Sequence, residues 1–165
     1  MSNDQTTPQI SLRRVVPSDL PIFFEQQLDA DANFMAAFTA KDPADRDAFM
    51  ARWTMMQADE ATHIRTIEWG QEVAGNIFRY EEMGRREVSY WLGNAYWGRG
   101  IATQALALFL VELPERPLYA RVATDNIGSL RVLQKCGFQV IDKDKGFANA
   151  RGTEVEEYVL VLESN

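Results

Sequence analysis

Cysteine and histidine are almost absent from this sequence of 165 residues, which contains one of each, Cys136 and His63. A single cysteine excludes a disulfide within the chain and is typical of a reducing compartment. With so few of these residues, we expect neither a metal cluster nor a catalytic arrangement of the Cys-His-Asp or Ser-His-Asp kind. We interpret Cys136 as a small buried apolar residue and His63 as a structural or exposed one.

An excess of positive charge and long apolar runs are also missing. The 24 acidic residues outnumber the 17 Lys and Arg residues and give a net charge of −7, which argues against nucleic acid as a partner. No apolar stretch approaches the roughly 18 residues that span a bilayer. Residues 1–9 lack the basic and apolar regions of a signal peptide, so we predict a disordered lead. We therefore expect a cytoplasmic protein with no membrane partner, whose acidity either slightly favours a cationic substrate or only maintains solubility.

The remaining residues, 10–165, have the length of one globular domain, and the hydrophobic content of the whole chain, 46%, is ordinary for one. Apolar residues repeat with the periods of strands and helices in the order β-α-α-β-β-β-α-β-α-β-β. Segments 63–69, 73–80 and 86–92 alternate with a period of two and predict an antiparallel meander. The expected fold is α/β (α+β), with a mixed, mostly antiparallel and twisted sheet of about seven strands flanked by helices.

Capping residues predict where the first helices begin. Ser18 is suited to the N-cap of one helix, and Asp42 followed by Pro43 to the N-cap of another. A shorter helical region begins near Asp31. The later helix has an apolar face made of Phe49, Trp53 and Met56. These helices either only pack in the core or also cover a substrate pocket.

The C-terminal part of the chain predicts two strands around a loop. A strand at 138–142 is followed by a loop at 146–152 and by a closing strand at 154–162. We expect the closing strand at an edge of the sheet, where its unpaired backbone groups offer a surface for a homodimer.

A glycine-containing stretch, residues 97–103, joins the third meander strand to the most regular helix of the chain. Gly98 and Gly100 permit a tight turn and leave no Cβ between the main chain and a ligand. The free N–H groups of the helix's first turn then point at an anion, aided by the positive end of the helix dipole. The stretch therefore indicates a site for a cofactor pyrophosphate, although a tight strand-to-helix connection has the same pattern.

A second motif opens the following helix, where Asn126 and Ser129 precede the run 135–138. It is similar to the Asn-x-x-Ser…Lys-x-Gly-Phe signature of the Gcn5-related N-acetyltransferase (GNAT) superfamily. Residues 97–102 are similar to that superfamily's acyl-CoA motif, Gln/Arg-x-x-Gly-x-Gly/Ala. Together the motifs resemble the superfamily over most of the chain, and in particular its RimJ/RimL-like branch. Trp97 departs from the pattern, which usually has Gln or Arg there, so the phosphates should depend mainly on backbone N–H groups.

The resemblance implies acetyl-CoA as the co-substrate. Its pyrophosphate would contact the N–H groups of Arg99, Gly100, Ile101, Ala102 and Thr103. The Arg99 side chain either adds a contact to a phosphate or is a solvated surface arginine. The pantetheine arm would follow strand 86–92 near Trp91 and Leu92, where the superfamily's sheet splays open. Asn126 resembles the residue that binds the pantetheine region, and it is also suited to cap the helix.

Two residues are candidates for proton transfer. Glu87 resembles the position from which some members recruit a general base, and otherwise it is a strand carboxylate that faces solvent or pairs with Arg85 or Arg86. Many members have a tyrosine acid seven residues after the asparagine, but this chain has Leu133 there, which cannot donate a proton. Ser129 is the remaining candidate for the acid, unless its hydroxyl only bonds the backbone.

The expected activity is direct transfer of an acetyl group from acetyl-CoA to a primary amine, on a protein N-terminus or a small molecule, in a ternary complex. No activated nucleophile is visible, so we predict no covalent intermediate. Leu133 favours an alternative, a coenzyme A-binding sensor or interaction module of the same fold without catalysis. A Rossmann-type nucleotide binder is excluded because the strands before the glycine turn form a meander instead of alternating with helices.

Overall fold

The computed structural model describes residues 7–164. Within this range seven strands form one sheet, and five α-helices pack on its two faces. The first six residues of the predicted disordered lead lie outside the described residues. No helix within the described range is long and apolar enough to span a bilayer. The elements are β1 (Ile10–Arg13), α1 (Asp19–Gln27), α2 (Ala30–Ala36), α3 (Arg46–Ala58), β2 (His63–Trp69), β3 (Glu72–Glu82), β4 (Arg85–Leu92), a 3-10 turn (Asn94–Tyr96), α4 (Ile101–Glu112), β5 (Leu118–Ala123), α5 (Ile127–Lys135), β6 (Gln139–Ala148) and β7 (Thr153–Leu162).

The strands lie in the order β1-β2-β3-β4-β5-β7-β6. Neighbouring strands are antiparallel except β4 and β5, which run parallel. These two strands share one paired position, Glu87 with Tyr119, and no further pair forms beyond it. The predicted α/β (α+β) class with a mixed, mostly antiparallel seven-stranded sheet is confirmed.

Helix α4 covers one face of the sheet. Its buried side chains recur every three or four positions and are Ile101, Ala105, Leu106, Phe109 and Leu110. They pack in the main core against sheet residues such as Ile77, Leu118 and Leu160. Burial of each large apolar side chain contributes about 1.5–3 kcal/mol to stability, so this packing holds α4 firmly on the sheet. The N-terminus of α4 follows the end of β4 in the chain, after the 3-10 turn and the glycine stretch.

Helices α1 and α3 cover part of the opposite face. Phe23 of α1 and Trp53 of α3 pack with their ring centroids 5.0 Å apart, and Ile64 of β2 completes this smaller core. The predicted apolar face of α3 is therefore part of a core. The helices do not reach across the whole sheet, and the uncovered space beside them forms a cleft.

The predicted helix starts are partly wrong. Helix α3 begins at Arg46, because the carboxylate of Asp45 caps it by accepting the N–H of Ala48 at 3.0 Å. Asp42 instead accepts the N–H of Ala44, which makes a turn before the helix and leaves Pro43 outside it. Ser18 forms no side-chain cap for α1. Three helices, and not two, precede β2, because the helical region near Asp31 forms α2 with its own cap.

Two predictions about the C-terminal hairpin are wrong. Strand β6 continues to Ala148, because the lysines of its charged stretch pair across the hairpin with glutamates of β7. Lys145 lies 3.4 Å from Glu154 in one such pair. Strand β7 lies between β5 and β6, so it is no edge strand. A homodimer stays a prediction, and among the described strands only β1 and β6 offer a free edge for it.

Candidate active site

A cleft opens where β4 and β5 separate. It has a volume of about 1160 Å³ and is lined by β3, β4, β5, helices α1 and α3 and the start of α5. Four of the predicted site residues line it: Glu87, Trp91, Asn126 and Ser129. The other six, Leu92 and residues 99–103, lie outside this lining, beyond the end of β4. The fold therefore groups the proposed catalytic residues in the cleft and places the proposed phosphate loop next to it in the chain.

The glycine stretch forms a left-handed turn directly before α4. Gly98 has φ +73° and Gly100 has φ +76°, a backbone region that disfavours other residues. Gly100 is the N-cap of α4 and provides no side-chain hydrogen bond, so no side chain of the cap competes for the N–H groups of the first turn. Arg99 is exposed, and its guanidinium lies 4.9 Å from the ring centroid of Trp69. The first N–H groups of α4 are therefore left without a side-chain cap, and phosphate binding by residues 99–103 stays a prediction.

The edge of β4 that points away from β3 carries main-chain groups that β3 does not use. Gly93 donates its N–H to Ala74 of β3, so by strand alternation the N–H and C=O groups of Leu92 and Tyr90 point away from β3. The carbonyl of Leu92 accepts the indole N–H of Trp97 at 3.1 Å, and the Leu92 side chain is buried. Trp97, the departure from the motif, therefore fixes the end of β4.

Glycine at position 75 keeps β3 tight against β4 at this point. A Cβ added to Gly75 would lie 2.0 Å from the carbonyl oxygen of Trp91, so another residue could not be accommodated without moving the strand. The indole N–H of Trp91 donates to the carbonyl of Gln26 at 3.3 Å. The wall of the cleft is thus tied to both β3 and α1.

Asn126 caps helix α5. Its Oδ1 accepts the N–H of Ser129 at 3.3 Å, and its Nδ2 donates to the carbonyl of Met35 at 3.3 Å. The capping interpretation is confirmed, and the second bond links α5 to the end of α2. A contact between Asn126 and pantetheine stays a prediction.

Glu87 lies in the wall of the cleft and is only 3% exposed. Its Oε1 accepts a hydrogen bond from Nε of Arg121 at 3.0 Å. The alternative interpretation, a carboxylate that faces solvent or pairs with Arg85 or Arg86, is wrong. Arg85 instead stacks on the ring of Tyr119, and Arg86 cannot reach Glu87 because it points to the opposite face of the strand.

Ser129 shares a hydrogen bond with Tyr90. The two hydroxyl oxygens are 2.7 Å apart, so the Ser129 hydroxyl does not bond only the backbone. Tyr90 is partly buried, and burial raises its pKa to about 12 although the bond with Ser129 acts in the opposite direction. Leu133 is buried beside them in the lining of the cleft. A pair of hydroxyl groups therefore lies on one side of the opening.

The family follows from a comparison of the sequence with family models. The model of the acetyltransferase (GNAT) domain matches residues 9–139. The chain belongs to this family. A curated relative, "Uncharacterized N-acetyltransferase p20" of Bacillus licheniformis, is 28% identical over 86 residues, which cover 50% of this chain and 48% of the relative. The chain thus spans about half the length of that relative.

Solved structures share the GNAT fold at low sequence identity. The N-acetyltransferase from Staphylococcus aureus Mu50 is 20% identical with a TM-score of 0.80, covering 94% of this chain and 98% of that chain. RimJ of Mycobacterium smegmatis, in complex with CoA-disulfide, is 20% identical with a TM-score of 0.77, covering 93% of this chain and 81% of that chain. At these identities the likeness shows the fold alone. The superfamily is confirmed by the family model, and the RimJ/RimL-like branch stays a prediction.

The cleft of this GNAT domain contains a charged network that sequence reasoning missed. Arg121 contacts three carboxylates, those of Glu87 at 3.0 Å, Asp144 at 3.1 Å and Glu157 at 2.9 Å. Burial opposes the charge of Arg121, but the hydrogen bonds that it donates to these carboxylates raise its pKa above the usual value. Burial also disfavours the charge of Glu157 and raises its pKa, although the hydrogen bond from Arg121 acts to lower that pKa. The available signal was a charged residue inside the otherwise apolar strand 118–122.

The side of the cleft that α3 and β3 form is partly aromatic. Helix α3 contributes Phe49, Trp53 and Met56, and β3 contributes Phe78 and Tyr80. The helices before β2 therefore both pack in a core and cover the cleft. Burial, and then the charge of Glu87, raise the pKa of Tyr80, so its hydroxyl stays protonated at neutral pH.

The single histidine lies away from this chemistry, whereas the thiol of the single cysteine donates to the carbonyl of Thr103 in the first turn of α4 at 3.6 Å. His63 bonds the carboxylate of Glu112 at 3.1 Å and does not line the cleft. Cys136 is partly buried, and burial raises the pKa of its thiol. Among residues 7–164, no three His, Cys, Asp or Glu side chains are grouped so that they could hold a metal ion.

Proposed function

We propose that this GNAT domain is an acetyl-CoA-dependent N-acetyltransferase of the RimJ/RimL-like branch, which transfers acetyl directly to a primary amine in a ternary complex. The acceptor is a protein N-terminus or a small-molecule amine. The observation that carries the proposal is the opening between β4 and β5, where strand alternation places a buried carboxylate, Glu87, on one face of β4 and the hydroxyl pair of Tyr90 and Ser129 on the opposite face.

The residues around the opening fit acetyl-CoA. The N–H groups at the start of α4, with Arg99, suit the pyrophosphate, because they carry positive charge and are not capped by a side chain. The N–H groups of Tyr90 and Leu92 and the carbonyl of Tyr90, which point away from β3, suit the amide groups of pantetheine, which would extend along β4 toward Asn126. Acetyl-CoA supplies an activated thioester, so the chain needs only to orient the two substrates and to move protons.

Glu87 is the proposed base. An amine attacks only as the neutral form, and the Oε2 of Glu87 is buried without a hydrogen-bond partner among the described residues. Arg121 holds Oε1 and so fixes the direction of the carboxylate. Ser129, on the other side of the opening, is the proposed donor to the leaving sulfur. Holding the reactants together contributes up to about 7–11 kcal/mol, so placement supplies much of the rate.

Two assays test the proposal. Calorimetry should detect micromolar binding of acetyl-CoA, and the pure protein should release free thiol from acetyl-CoA when a library of primary amines is added. Failure to bind acetyl-CoA would remove the basis of the proposal.

A second candidate is a coenzyme A-binding sensor or interaction module. Leu133, which stands where many members have a tyrosine acid, favours it. The thiol assay separates the two functions, because a binding module binds acetyl-CoA but releases no thiol with any amine.

A further inference from the structure

We propose that Tyr90 is a positioning residue that directs the hydroxyl of Ser129 toward the leaving sulfur and replaces the proton that Ser129 gives up. The inference rests on the proposed function, because it concerns the departure of coenzyme A from the same cleft. It adds Tyr90 of β4 to the path that delivers a proton to the leaving sulfur, for which Ser129 of α5 was the only candidate from the sequence.

The contact between the two residues is short and both lie at the cleft. Tyr90 points from β4 to the face covered by α5, where its hydroxyl oxygen is 2.7 Å from Oγ of Ser129. Ser129 is itself held in place, because Asn126 accepts its backbone N–H in the first turn of the helix. Neither hydroxyl has another hydrogen-bond partner within residues 7–164.

The distance alone does not give the direction of this hydrogen bond, because either hydroxyl can donate. Tyr90 keeps its proton at neutral pH because its pKa is about 12. A phenol is a stronger acid than a serine hydroxyl and is therefore the better donor, so we assign the donated proton to Tyr90. The proton of Ser129 is then free to point into the cleft.

This arrangement makes Ser129 a more effective donor than an isolated serine. As the bond between the amine nitrogen and the acetyl carbon forms, the carbon–sulfur bond breaks and the sulfur keeps the electron pair. The proton of Ser129 passes to the sulfur, and the proton of Tyr90 passes to Ser129. The negative charge then rests on a phenolate, which is more stable than a serine alkoxide. The proton lost by the amine goes to Glu87, and water restores the proton of Tyr90 after the products leave.

A double-mutant cycle tests the coupling. Ser129→Ala should lower kcat by about 100-fold, the lower end of the effect of general acids. Tyr90→Phe keeps the ring and removes the hydroxyl, so we expect roughly tenfold lower kcat with an unchanged KM for acetyl-CoA. In the Ser129→Ala background, Tyr90→Phe should have no further effect, because Tyr90 acts through Ser129. The control Tyr158→Phe, a tyrosine that does not line the cleft, should keep parental kinetics.

A second measurement does not depend on a truncated side chain. Incorporation of 3,5-difluorotyrosine at position 90 keeps the hydroxyl and lowers its pKa, so the alkaline decline of kcat should move to lower pH than in the parent protein. An unchanged pH profile would overturn the inference, as would equal losses from Tyr90→Phe with and without Ser129. If the parent protein releases no thiol with any amine, the proposed function and this inference both fall. If the parent is active but the cycle is additive, only this inference falls.

Discussion

Glu87 presents one carboxylate oxygen to Arg121, and its other oxygen has no hydrogen bond of ordinary length among residues 7–164, although the Tyr80 hydroxyl interacts with the same carboxylate. A buried oxygen without a partner is costly to a fold unless a ligand group completes it. An amine that donates a proton is such a group. The Glu87 side chain is thus better suited to binding a ligand group than to stabilising the fold. Substitution of Glu87 should therefore reduce turnover more than it reduces stability.

Replacing Glu87 by glutamine tests its role as the base. Glu87→Gln keeps the size of the side chain and an oxygen for Arg121 but cannot accept the proton, so kcat should fall by about 100-fold or more with little change in KM for acetyl-CoA. Steady-state thiol release measures both constants. The control Glu81→Gln changes an exposed carboxylate on the neighbouring strand and should be fully active. Equal activity of the two variants would exclude Glu87 as the base.

Glu157 gives a second prediction at the residue scale, this time about stability. Burial raises its pKa above the usual 4.5, so the folded state holds the proton more tightly than the unfolded state. The stability gained by this proton is present at low pH and is lost as the pH rises through the folded pKa. Glutamine does not titrate, so the Glu157→Gln variant does not lose stability in this way as the pH rises. The free energy of unfolding of the variant, relative to the parent, should therefore increase as the pH rises above 4.5 and through the folded pKa.

Urea unfolding at several pH values measures this difference. Glu154→Gln on the same strand alters an exposed carboxylate and serves as the control, for which the difference from the parent should not change with pH. A difference for Glu157→Gln that is flat or decreases with pH would contradict the assignment of a disfavoured charge at this position.

The turn before α4 is the element on which the proposed cofactor site depends. Its two glycines have left-handed backbone conformations, and the helix that follows has five buried apolar side chains. The helix is therefore rigid while its first turn remains open. A change in the turn should alter ligand binding without removing the helix.

Valine at position 100 tests the turn. A Cβ there would meet only Nε2 of Gln104, at 4.0 Å, so the penalty of Gly100→Val comes from its φ of +76° and amounts to about 1–3 kcal/mol. To relieve this strain the turn must move, and the affinity for acetyl-CoA should fall at least tenfold. Gly152→Val is the matched control, since Gly152 has φ +66° and no atom within 4 Å of its Cβ but lies in the β6–β7 turn.

Calorimetry with acetyl-CoA and thermal unfolding compare the two variants. Both should lose similar stability, and only Gly100→Val should lose affinity. Retention of full affinity by folded Gly100→Val would show that the backbone of the turn does not bind the phosphates.

For the molecule as a whole, the sequence was most informative where its pattern is local. Alternation predicted the meander, and the three-to-four spacing in α4 predicted its buried face. The N-cap of α5 was also visible, because Asn126 lies three residues before the N–H it accepts. These features depend on neighbours in the chain.

What could not be predicted depends on partners far apart in the chain. The insertion of β7 between β5 and β6 brings Glu157 and Asp144 to Arg121, and no local pattern reports that pairing. The bond between Tyr90 and Ser129 likewise joins β4 to α5 across 39 positions. Sequence reasoning therefore identified the cleft-lining candidates on β4 and α5 but not the groups that hold and direct them.

The initial rate of thiol release, measured while the concentrations of acetyl-CoA and a reactive amine are varied together, tests the central claim most directly. Direct transfer in a ternary complex predicts release that depends on both substrates, with double-reciprocal lines that intersect. Parallel lines would indicate a covalent acetyl-enzyme, and the absence of amine-dependent release would indicate a protein that binds coenzyme A without transferring acetyl groups. Either result would contradict the account.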